Sequence, residues 1–199
     1  MSCPARPGGL EITKRAFDYC GVKKAAKVLD IGSGNGDTAG FLKKEYGFSV
    51  TGIDRSPDAI SLARENYPGC EFMEGDGQWL DFESLSFDCV LMECTLSLMP
   101  NPVEAIHEAF CVLKEDGWLI VHDLYLPHPP PVKGALVLTD INAALDELGF
   151  EVTLFEDRKA DLDNFVASLI FEGGDIDDYR ELRQSKSEVS YFLLIARKG

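Results

Sequence analysis

The sequence predicts an α/β fold in which helices cover both faces of a mostly parallel sheet. Short apolar segments alternate with amphipathic segments along the chain, the pattern of parallel strands joined by crossover helices. The first apolar segment, Lys27–Ile31, leads directly into a glycine-rich turn. A last apolar segment, Val189–Ala196, follows an amphipathic stretch near the C-terminus. Together these features predict a mostly parallel sheet, with the glycine-rich turn at the carboxyl end of its first strand.

Seven strands are predicted, each from a short apolar run bounded by turn residues. They lie at Lys27–Ile31, Phe48–Ile53, Glu71–Met73, Phe87–Met92, Gly117–Leu124, Phe150–Phe155 and Val189–Ala196. Two of the helices between them carry clear start signals, Ser56 before Pro57 and Asn101 before Pro102. Ser and Asn cap helices through their side chains, and proline at the first helical position has no N–H to leave unpaired.

The domain organisation is predicted to be simple. The 199 residues suit one domain, and no repeat, linker or low-complexity segment divides them. We therefore predict a single domain over residues 1–199. Residues 1–24 would form an N-terminal cap segment, and residues 157–188 a helical insertion before the last strand.

The composition excludes several classes of function. A formal net charge of −15, from 34 acidic and 19 basic residues, disfavours nucleic acid and anionic membranes as partners. No apolar run approaches the roughly 20 residues of a membrane helix. The six cysteines lack metal-ligand spacing, so we expect no metal site and a reducing, cytoplasmic location. The oligomeric state cannot be inferred.

The glycine-rich turn after the first strand is the most informative segment. It reads Asp30-Ile-Gly32-Ser-Gly34-Asn-Gly36, and the helix predicted from about Asp37 follows it. Glycines let a backbone approach a ligand closely, and a helix N-terminus presents unpaired N–H groups. A nucleotide-like cofactor is the expected ligand at the carboxyl end of such a strand. The spacing differs from the dinucleotide pattern G-x-G-x-x-G.

Two carboxylates follow the next strands. Asp54 ends the second strand, 18 residues after Gly36, where a carboxylate can accept hydrogen bonds from ribose hydroxyls. Glu74-Gly75-Asp76-Gly77 follows the third strand. Each of these also has a plainer interpretation, as a surface carboxylate at a strand end or an acidic turn. Their places after consecutive strands favour one nucleoside-shaped site.

These motifs resemble those of class I S-adenosylmethionine-dependent methyltransferases, close to the broad type 11 group that acts on small molecules. The resemblance covers residues 25–125 and implies a Rossmann-like fold of seven strands with an antiparallel last strand. It implies S-adenosyl-L-methionine as cofactor and a small-molecule substrate. The cofactor-binding residues that it implies are Asp30, Gly32, Ser33, Gly34, Asn35, Gly36, Asp54, Arg55, Asp76, Gly77, Glu93 and Cys94.

Catalytic candidates lie at the ends of the fourth and fifth strands. Methyl transfer from a sulfonium is an in-line displacement, so a base is needed only when the acceptor must lose a proton. We predict Glu93, His122 and Asp123 as candidates for this role. His122 could equally be a hydrogen-bonded core residue, and Asp123 could cap the following loop. The loop at His128 could belong to a substrate lid.

The N-terminal segment Arg6-Pro7-Gly8-Gly9 precedes a predicted helix. It could fold over the cofactor, with Arg6 meeting a carboxylate, or it could be a flexible terminus. Three other functions stay open on the sequence. They are a sensor or scaffold that binds S-adenosylmethionine without transferring its methyl group, an arsenite- or thiol-directed methyltransferase, and an NAD-dependent oxidoreductase.

Overall fold

The computed structural model describes residues 6–126, 134–172 and 189–199. Within these residues the chain forms six α-helices, eight strands and one short 3₁₀ helix at Leu96–Leu98. The helices are α1 Gly9–Cys20, α2 Asp37–Tyr46, α3 Pro57–Asn66, α4 Pro102–Val112, α5 Leu138–Leu148 and α6 Lys159–Glu172. The strands are β1 Lys27–Ile31, β2 Ser49–Asp54, β3 Glu71–Glu74, β4 Phe87–Glu93, β5 Leu113–Leu126, β6 Leu136–Val137, β7 Phe150–Asp157 and β8 Ser190–Lys198.

The sheet has the order β3-β2-β1-β4-β5-β8-β7. Strands β1 to β5 are parallel to one another, whereas β8 is antiparallel to both β5 and β7. The predicted fold class, with its antiparallel last strand, is therefore confirmed. Strand β6, a two-residue pairing beside Tyr125 and Leu126, was not predicted because two residues carry no periodicity.

Helices cover both faces of the sheet, as predicted. On one face the core contains Ile12 of α1, Leu42 of α2, Ile60 of α3 and Leu162 of α6. On the other it contains Ile106 of α4 and Ile141 and Leu145 of α5. The central strands are therefore buried on both sides, which is why they read as continuous apolar runs. No helix in the described parts of the chain is long and apolar enough to cross a membrane.

The predicted helix caps form as expected. The Ser56 hydroxyl accepts a hydrogen bond from the Ala59 N–H at 3.3 Å, and the Asn101 side chain accepts one from the Glu104 N–H at 3.3 Å.

Strand β5 is longer than predicted, because α4 passes directly into it at Leu113. In the predicted insertion over residues 157–188, the described part consists of the end of β7 and α6. The rest of it, and the loop at His128, lie outside the described residues.

The connections reverse direction between β1 and β4. Strand β1 pairs with β2 on one side and with β4 on the other, so the crossover helices leave toward opposite faces. Open α/β sheets bind their ligands at this reversal, beyond the carboxyl ends of the strands. The turn after β1 and the residues that end β2 and β4 meet there.

Candidate functional site

The glycine turn after β1 is held against the end of β2. The N–H groups of Gly32 and Ser33 both donate to the Ile53 carbonyl oxygen, at 2.8 and 2.9 Å. The N–H of Gly34 donates to Asp54 Oδ2 at 2.9 Å. These bonds fix the turn so that α2 begins immediately after it, at Asp37.

The three glycines of the turn adopt left-handed backbone angles, with φ of +79°, +51° and +84° at Gly32, Gly34 and Gly36. A Cβ atom at Gly32 would lie 2.2 Å from Thr95 Oγ1, and one at Gly36 would lie 2.7 Å from the Phe72 ring. At Gly34, by contrast, nothing in the described structure lies within 4 Å of that position. The turn is thus packed against protein at its ends and faces open space at its centre.

The carboxylates after β2 and β3 lie at the same edge of the sheet. Asp54 accepts from the Ser56 N–H at 2.9 Å as well as from Gly34, so it supports the glycine turn directly. Asp76 accepts from the backbone N–H of Gln78 at 3.0 Å, and this hydrogen bond holds the pKa of Asp76 below its ordinary value. Arg55 approaches Asp76 at 3.8 Å from an exposed position. Neither carboxylate is fully buried, so both remain accessible to a ligand.

Three buried polar atoms at this edge have no hydrogen-bond partner within the described part of the chain. They are Asp30 Oδ2, Ser33 Oγ and Arg6 Nε. Buried polar groups in proteins are almost always paired, so a small polar ligand or ordered water is expected to complete them. Burial, followed by the negative charge of Glu93, raises the pKa of Asp30 to about 8.

Glu93, at the end of β4, is the centre of a buried hydrogen-bond network. Its Oε1 accepts from Thr13 of α1 and contacts His122 Nε2, both at 2.6 Å. Its Oε2 accepts from Thr38 of α2 and forms an ion pair with Arg6, both at 2.6 Å. Burial opposes the ionisation of Glu93, but His122 and Arg6 together lower its pKa to about 2. The network joins the N-terminal segment, α1, α2, β4 and β5.

The network continues through His122 to the antiparallel strand. His122 is fully buried in β5, and its Nδ1 lies 2.6 Å from the hydroxyl of Tyr191 in β8. The same hydroxyl lies 3.1 Å from Cys94 Sγ. If the Nε2–H of His122 donates to Glu93, then Nδ1 accepts from Tyr191. Both ring nitrogens therefore have protein partners.

Asp123 has a separate set of partners. Its carboxylate accepts from the Ser97 hydroxyl at 2.6 Å, from the Ser97 N–H at 2.9 Å and from the Leu124 N–H at 2.7 Å. Burial raises the pKa of Asp123, and the hydrogen bonds from Ser97 partly offset that effect. Asp123 thus ties the turn after β4 to β5. The loop that follows β5, which the sequence analysis considered as its capping target, lies outside the described residues.

Comparison with known proteins identifies the family. The profile of the methyltransferase domain matches residues 22–147, more than half of the chain. The chain belongs to the methyltransferase domain family. The matched segment contains the glycine turn, Asp54, Asp76 and Glu93, and also the two catalytic candidates of β5, His122 and Asp123. The class I members of this family use S-adenosylmethionine.

Several relatives of this methyltransferase domain have names that state an activity. The chain is 32% identical over 120 residues to a demethylmenaquinone methyltransferase of Chlorobaculum parvum, covering 60% of this chain and 50% of the relative. It is 31% identical over 144 residues to an arsenite methyltransferase of Halobacterium salinarum, covering 62% of this chain and 37% of the relative. The chain thus spans about half the length of the curated relatives it matches, or less.

The fold of this methyltransferase domain also matches solved structures. It superposes with a TM-score of 0.81 on phosphoethanolamine N-methyltransferase 2 of Haemonchus contortus, solved in complex with S-adenosyl-L-methionine. The match covers 99% of this chain and 54% of that one at 17% identity. At this identity the likeness concerns the fold alone.

Three residues of the Glu93 network were not predicted from the sequence. Thr13 lies on the otherwise apolar buried face of α1, beside Ile12. Thr38 follows the glycine turn, and Tyr191 lies within the apolar last strand. A hydroxyl on an apolar face needs a partner when buried, so Thr13 and Tyr191 carried a signal that the sequence interpretation did not use. The assignment of the predicted cofactor-binding and catalytic residues stays a prediction.

Among the described residues, one group of side chains has ligand atoms close enough together to hold a cation. Glu104, His107 and Glu108 of α4 have ligand atoms within 4.8 Å of one another. Glu108 already accepts from the Leu80 N–H at 2.7 Å, which gives this carboxylate a structural role. The prediction that the chain uses no metal stays a prediction.

The raised pKa of Asp30 should make the stability of this methyltransferase domain depend on pH. Its folded pKa of about 8 exceeds the ordinary value of 3.8, so the folded protein retains a proton that the unfolded chain releases. Stability should therefore fall as pH rises between these two values. We expect Asp30→Asn to weaken this dependence, measured by urea unfolding at pH of about 6 and about 8. If the free energy of unfolding changed equally between the two pH values in wild type and in Asp30→Asn, the raised pKa of Asp30 would be contradicted.

Proposed function

We propose that this protein transfers the methyl group of S-adenosylmethionine to a small molecule. The observation that carries the proposal is the site at the end of β1. There an open glycine turn adjoins two buried polar atoms, Asp30 Oδ2 and Ser33 Oγ, that have no partner among the described residues. The carboxylates of Asp54 and Asp76 follow the next two strands on the same edge. A ligand with an amino-acid end, a ribose and an adenine matches that series of groups.

Each part of the cofactor has candidate residues. The turn Gly32-Ser33-Gly34-Asn35-Gly36, with Asp30 behind it, would hold the amino-acid end. Asp54 would accept from the ribose hydroxyls, and Asp76 with Gly77 would bind the adenine. Arg55 would border the adenine, and Glu93 with Cys94 would border the sulfonium. When bound, the sulfonium supplies an electrophilic methyl carbon.

The chain's own contribution to transfer is mainly alignment of the acceptor with the methyl group. Glu93, His122 and Asp123 are all buried, and each is held by other protein groups. We propose that Glu93 and Asp123 position the ends of β4 and β5. His122 could act as a base only through Tyr191, because its other nitrogen faces Glu93.

The acceptor is proposed to be an organic molecule rather than arsenite. Cys89 is fully buried, and Cys94 shares a hydrogen bond with Tyr191. Burial raises the pKa of Cys94 to about 12 and that of Cys89 well above its ordinary value. Arsenic binds thiolates, which these two cysteines do not readily form. These two cysteines therefore do not favour, for this chain, the arsenite activity that the name of the Halobacterium salinarum relative states.

The cellular location and the class of partner are proposed from the free cysteines and the net charge. The described cysteines at 20, 70, 89, 94 and 111 are free, which suits a reducing cytoplasm. The net charge of −15 disfavours nucleic acid as a partner. We therefore propose a cytoplasmic enzyme for a small-molecule acceptor.

The ribose assignment gives the first prediction for the cofactor site. Replacing Asp54 with alanine removes the proposed acceptor of the ribose hydroxyls and the support of the Gly34 N–H. We expect S-adenosylhomocysteine to bind more weakly by about 1.5–3 kcal/mol, the scale of a hydrogen bond to a charged group. Calorimetric titration measures the loss. Asp58→Ala, which removes an exposed carboxylate four residues away, should leave the affinity unchanged.

Methyl transfer itself is tested with S-adenosylmethionine that carries a trideuterated methyl group. The protein is incubated with this compound and a bacterial metabolite extract, and mass spectrometry searches for products that gain the labelled methyl group. A labelled product made by wild type but not by Asp54→Ala would support the proposal. Tight cofactor binding without any labelled product would favour the sensor or scaffold instead.

A further inference from the structure

Both ring nitrogens of His122 are engaged inside the protein. The side chain is fully buried, with Nε2 at 2.6 Å from Glu93 Oε1 and Nδ1 at 2.6 Å from the Tyr191 hydroxyl. The Glu93 carboxylate is in turn fully engaged by His122, Thr13, Thr38 and Arg6. Among the described residues, a proton can therefore reach His122 only through Tyr191.

Tyr191 connects His122 to the turn after β4. Its hydroxyl is buried and also lies 3.1 Å from Cys94 Sγ. Cys94 is partly exposed. The next residue, Thr95, packs against the glycine turn, since its Oγ1 lies 2.2 Å from the position of a Cβ atom at Gly32. Cys94 is thus the member of this hydrogen-bond chain that opens toward the proposed cofactor site.

The chain of Cys94, Tyr191 and His122 can take up one proton without moving a heavy atom. With a neutral imidazole that carries its proton on Nε2, the Cys94 thiol donates to the Tyr191 oxygen and the Tyr191 hydroxyl donates to Nδ1. With an imidazolium, Nδ1–H donates to the Tyr191 oxygen and the Tyr191 hydroxyl donates to the Cys94 sulfur. The added proton then lies on His122, beside the carboxylate of Glu93.

His122 is the member of this chain on which an added proton can stay. Burial raises the pKa of Tyr191 well above its ordinary value and that of Cys94 to about 12, so both groups keep their own protons. Burial opposes the ionisation of Glu93, but His122 and Arg6 lower its pKa to about 2, so it stays a carboxylate. The ionisable groups that act on the pair of His122 and Glu93 are Tyr191, Cys94, Asp30, Asp123 and Arg6.

We propose that His122 takes up the proton that the methyl acceptor releases, with Tyr191 as the positioning residue that passes it on. Loss of the methyl group removes one positive charge from the cofactor, and the imidazolium restores that charge at the same edge of the sheet. The coupling needs no direct contact, because charges interact strongly in a poorly solvated interior. This inference rests on the proposed function, because it assumes a sulfonium near Glu93 and Cys94.

One proton moves along each hydrogen bond of the chain. As the attacking atom of the acceptor bonds the methyl carbon, its proton passes to the Cys94 sulfur, the Cys94 proton to the Tyr191 oxygen and the Tyr191 proton to His122 Nδ1. The electron pair of the broken carbon–sulfur bond stays on the cofactor sulfur as a neutral thioether. The substrate class that follows is an acceptor whose attacking atom carries a proton, such as a hydroxyl group, rather than a tertiary amine.

Proton uptake on ligand binding tests the inference without any methyl acceptor. S-adenosylhomocysteine lacks the methyl group and the positive charge of S-adenosylmethionine. Each is titrated calorimetrically in phosphate and in Tris between pH of about 6 and about 8, and the dependence of the heat on the buffer gives the protons taken up. We expect wild type to take up more protons with S-adenosylhomocysteine, by at most about one, the capacity of a single imidazole.

Three variants make the result specific. Tyr191→Phe leaves Nδ1 facing an apolar ring and should lose the excess of protons, as should His122→Asn, which cannot form an imidazolium. Tyr125→Phe removes another tyrosine hydroxyl, which donates to Asp157 at 2.6 Å, and should keep the excess. The amino groups of the two ligands contribute equally in every protein, so they cancel when variants are compared. Thermal unfolding of each variant establishes that it remains folded.

The outcomes separate this inference from the proposed function. Equal proton uptake with both ligands in wild type, or an excess that persists in Tyr191→Phe, would overturn the role of His122 while the cofactor site stands. A wild-type protein that binds neither adenosyl compound would instead overturn the proposed function. An excess that is lost in Tyr191→Phe and His122→Asn, and kept in Tyr125→Phe, is the result that the inference predicts.

Discussion

Replacing Glu93 with alanine should lower the free energy of unfolding by about 3–5 kcal/mol, the cost of removing one partner from a buried charged network. The substitution leaves Arg6 and His122 without their carboxylate and removes the acceptor of the Thr13 and Thr38 hydroxyls. Five segments of the fold meet at this side chain, so no simple rotation supplies a substitute. Urea unfolding at neutral pH measures the loss.

The matched control for Glu93 is a surface ion pair. Asp116 pairs with Arg197 at 2.9 Å, but its side chain is 75% exposed, so Asp116→Ala should cost about 0–1 kcal/mol. Because the folded pKa of Glu93 lies below its ordinary value of 4.5, the stabilisation that ionised Glu93 gives the fold is fully present above pH 4.5. It should fade as the pH drops toward 2. A loss below about 1 kcal/mol at neutral pH would show that the network does not stabilise the fold.

Replacing Gly34 with valine should abolish cofactor binding while leaving the protein folded. The Cβ atom would enter open space at the centre of the glycine turn, where the amino-acid end of the cofactor is proposed to lie. The backbone strain at a φ of +51° should cost about 1–2 kcal/mol of stability, less than the total stability of a typical domain. Calorimetric titration with S-adenosylhomocysteine measures the binding, and circular dichroism the fold.

A valine at a second glycine distinguishes the effect of backbone strain from the effect of blocking the cofactor's proposed place. Gly21 ends α1 with a φ of +58°, and nothing described lies within 4 Å of a Cβ atom built there. Gly21→Val therefore carries a similar backbone strain at a position remote from the glycine turn. It should lose comparable stability and keep its cofactor affinity. If Gly34→Val bound the cofactor as wild type does, the glycine turn would not be the binding site.

The sequence was sufficient to predict the features whose signals are local. The glycine turn, the Ser56 and Asn101 caps and the positions of the strands along the chain each depend on residues close together in the sequence. Burial of the central strands on both faces produced long apolar runs, such as Phe87–Met92. These runs located the strands to within a residue or two, except that β5 begins at Leu113, four residues before the predicted start. The fold class therefore followed from pattern and position, whereas the cofactor edge stays a prediction.

The Glu93 network could not be predicted, because its partners are far apart in the sequence. Thr13 lies 80 residues from Glu93 and Thr38 lies 55 residues away, whereas Tyr191 follows His122 by 69 residues. No periodicity links such positions, and only the folded sheet brings them together. Glu93 itself was predicted from its place at the end of a strand, but its role as a hub was not.

The edge of the sheet beyond the carboxyl ends of β1, β2 and β4 is proposed to bind an adenosyl amino acid. Isothermal titration of the purified protein with S-adenosylmethionine, S-adenosylhomocysteine and NAD, run in parallel, tests it most directly. We predict micromolar binding of both adenosyl compounds and no binding of NAD. Binding of NAD alone, or of none of the three, would contradict the account.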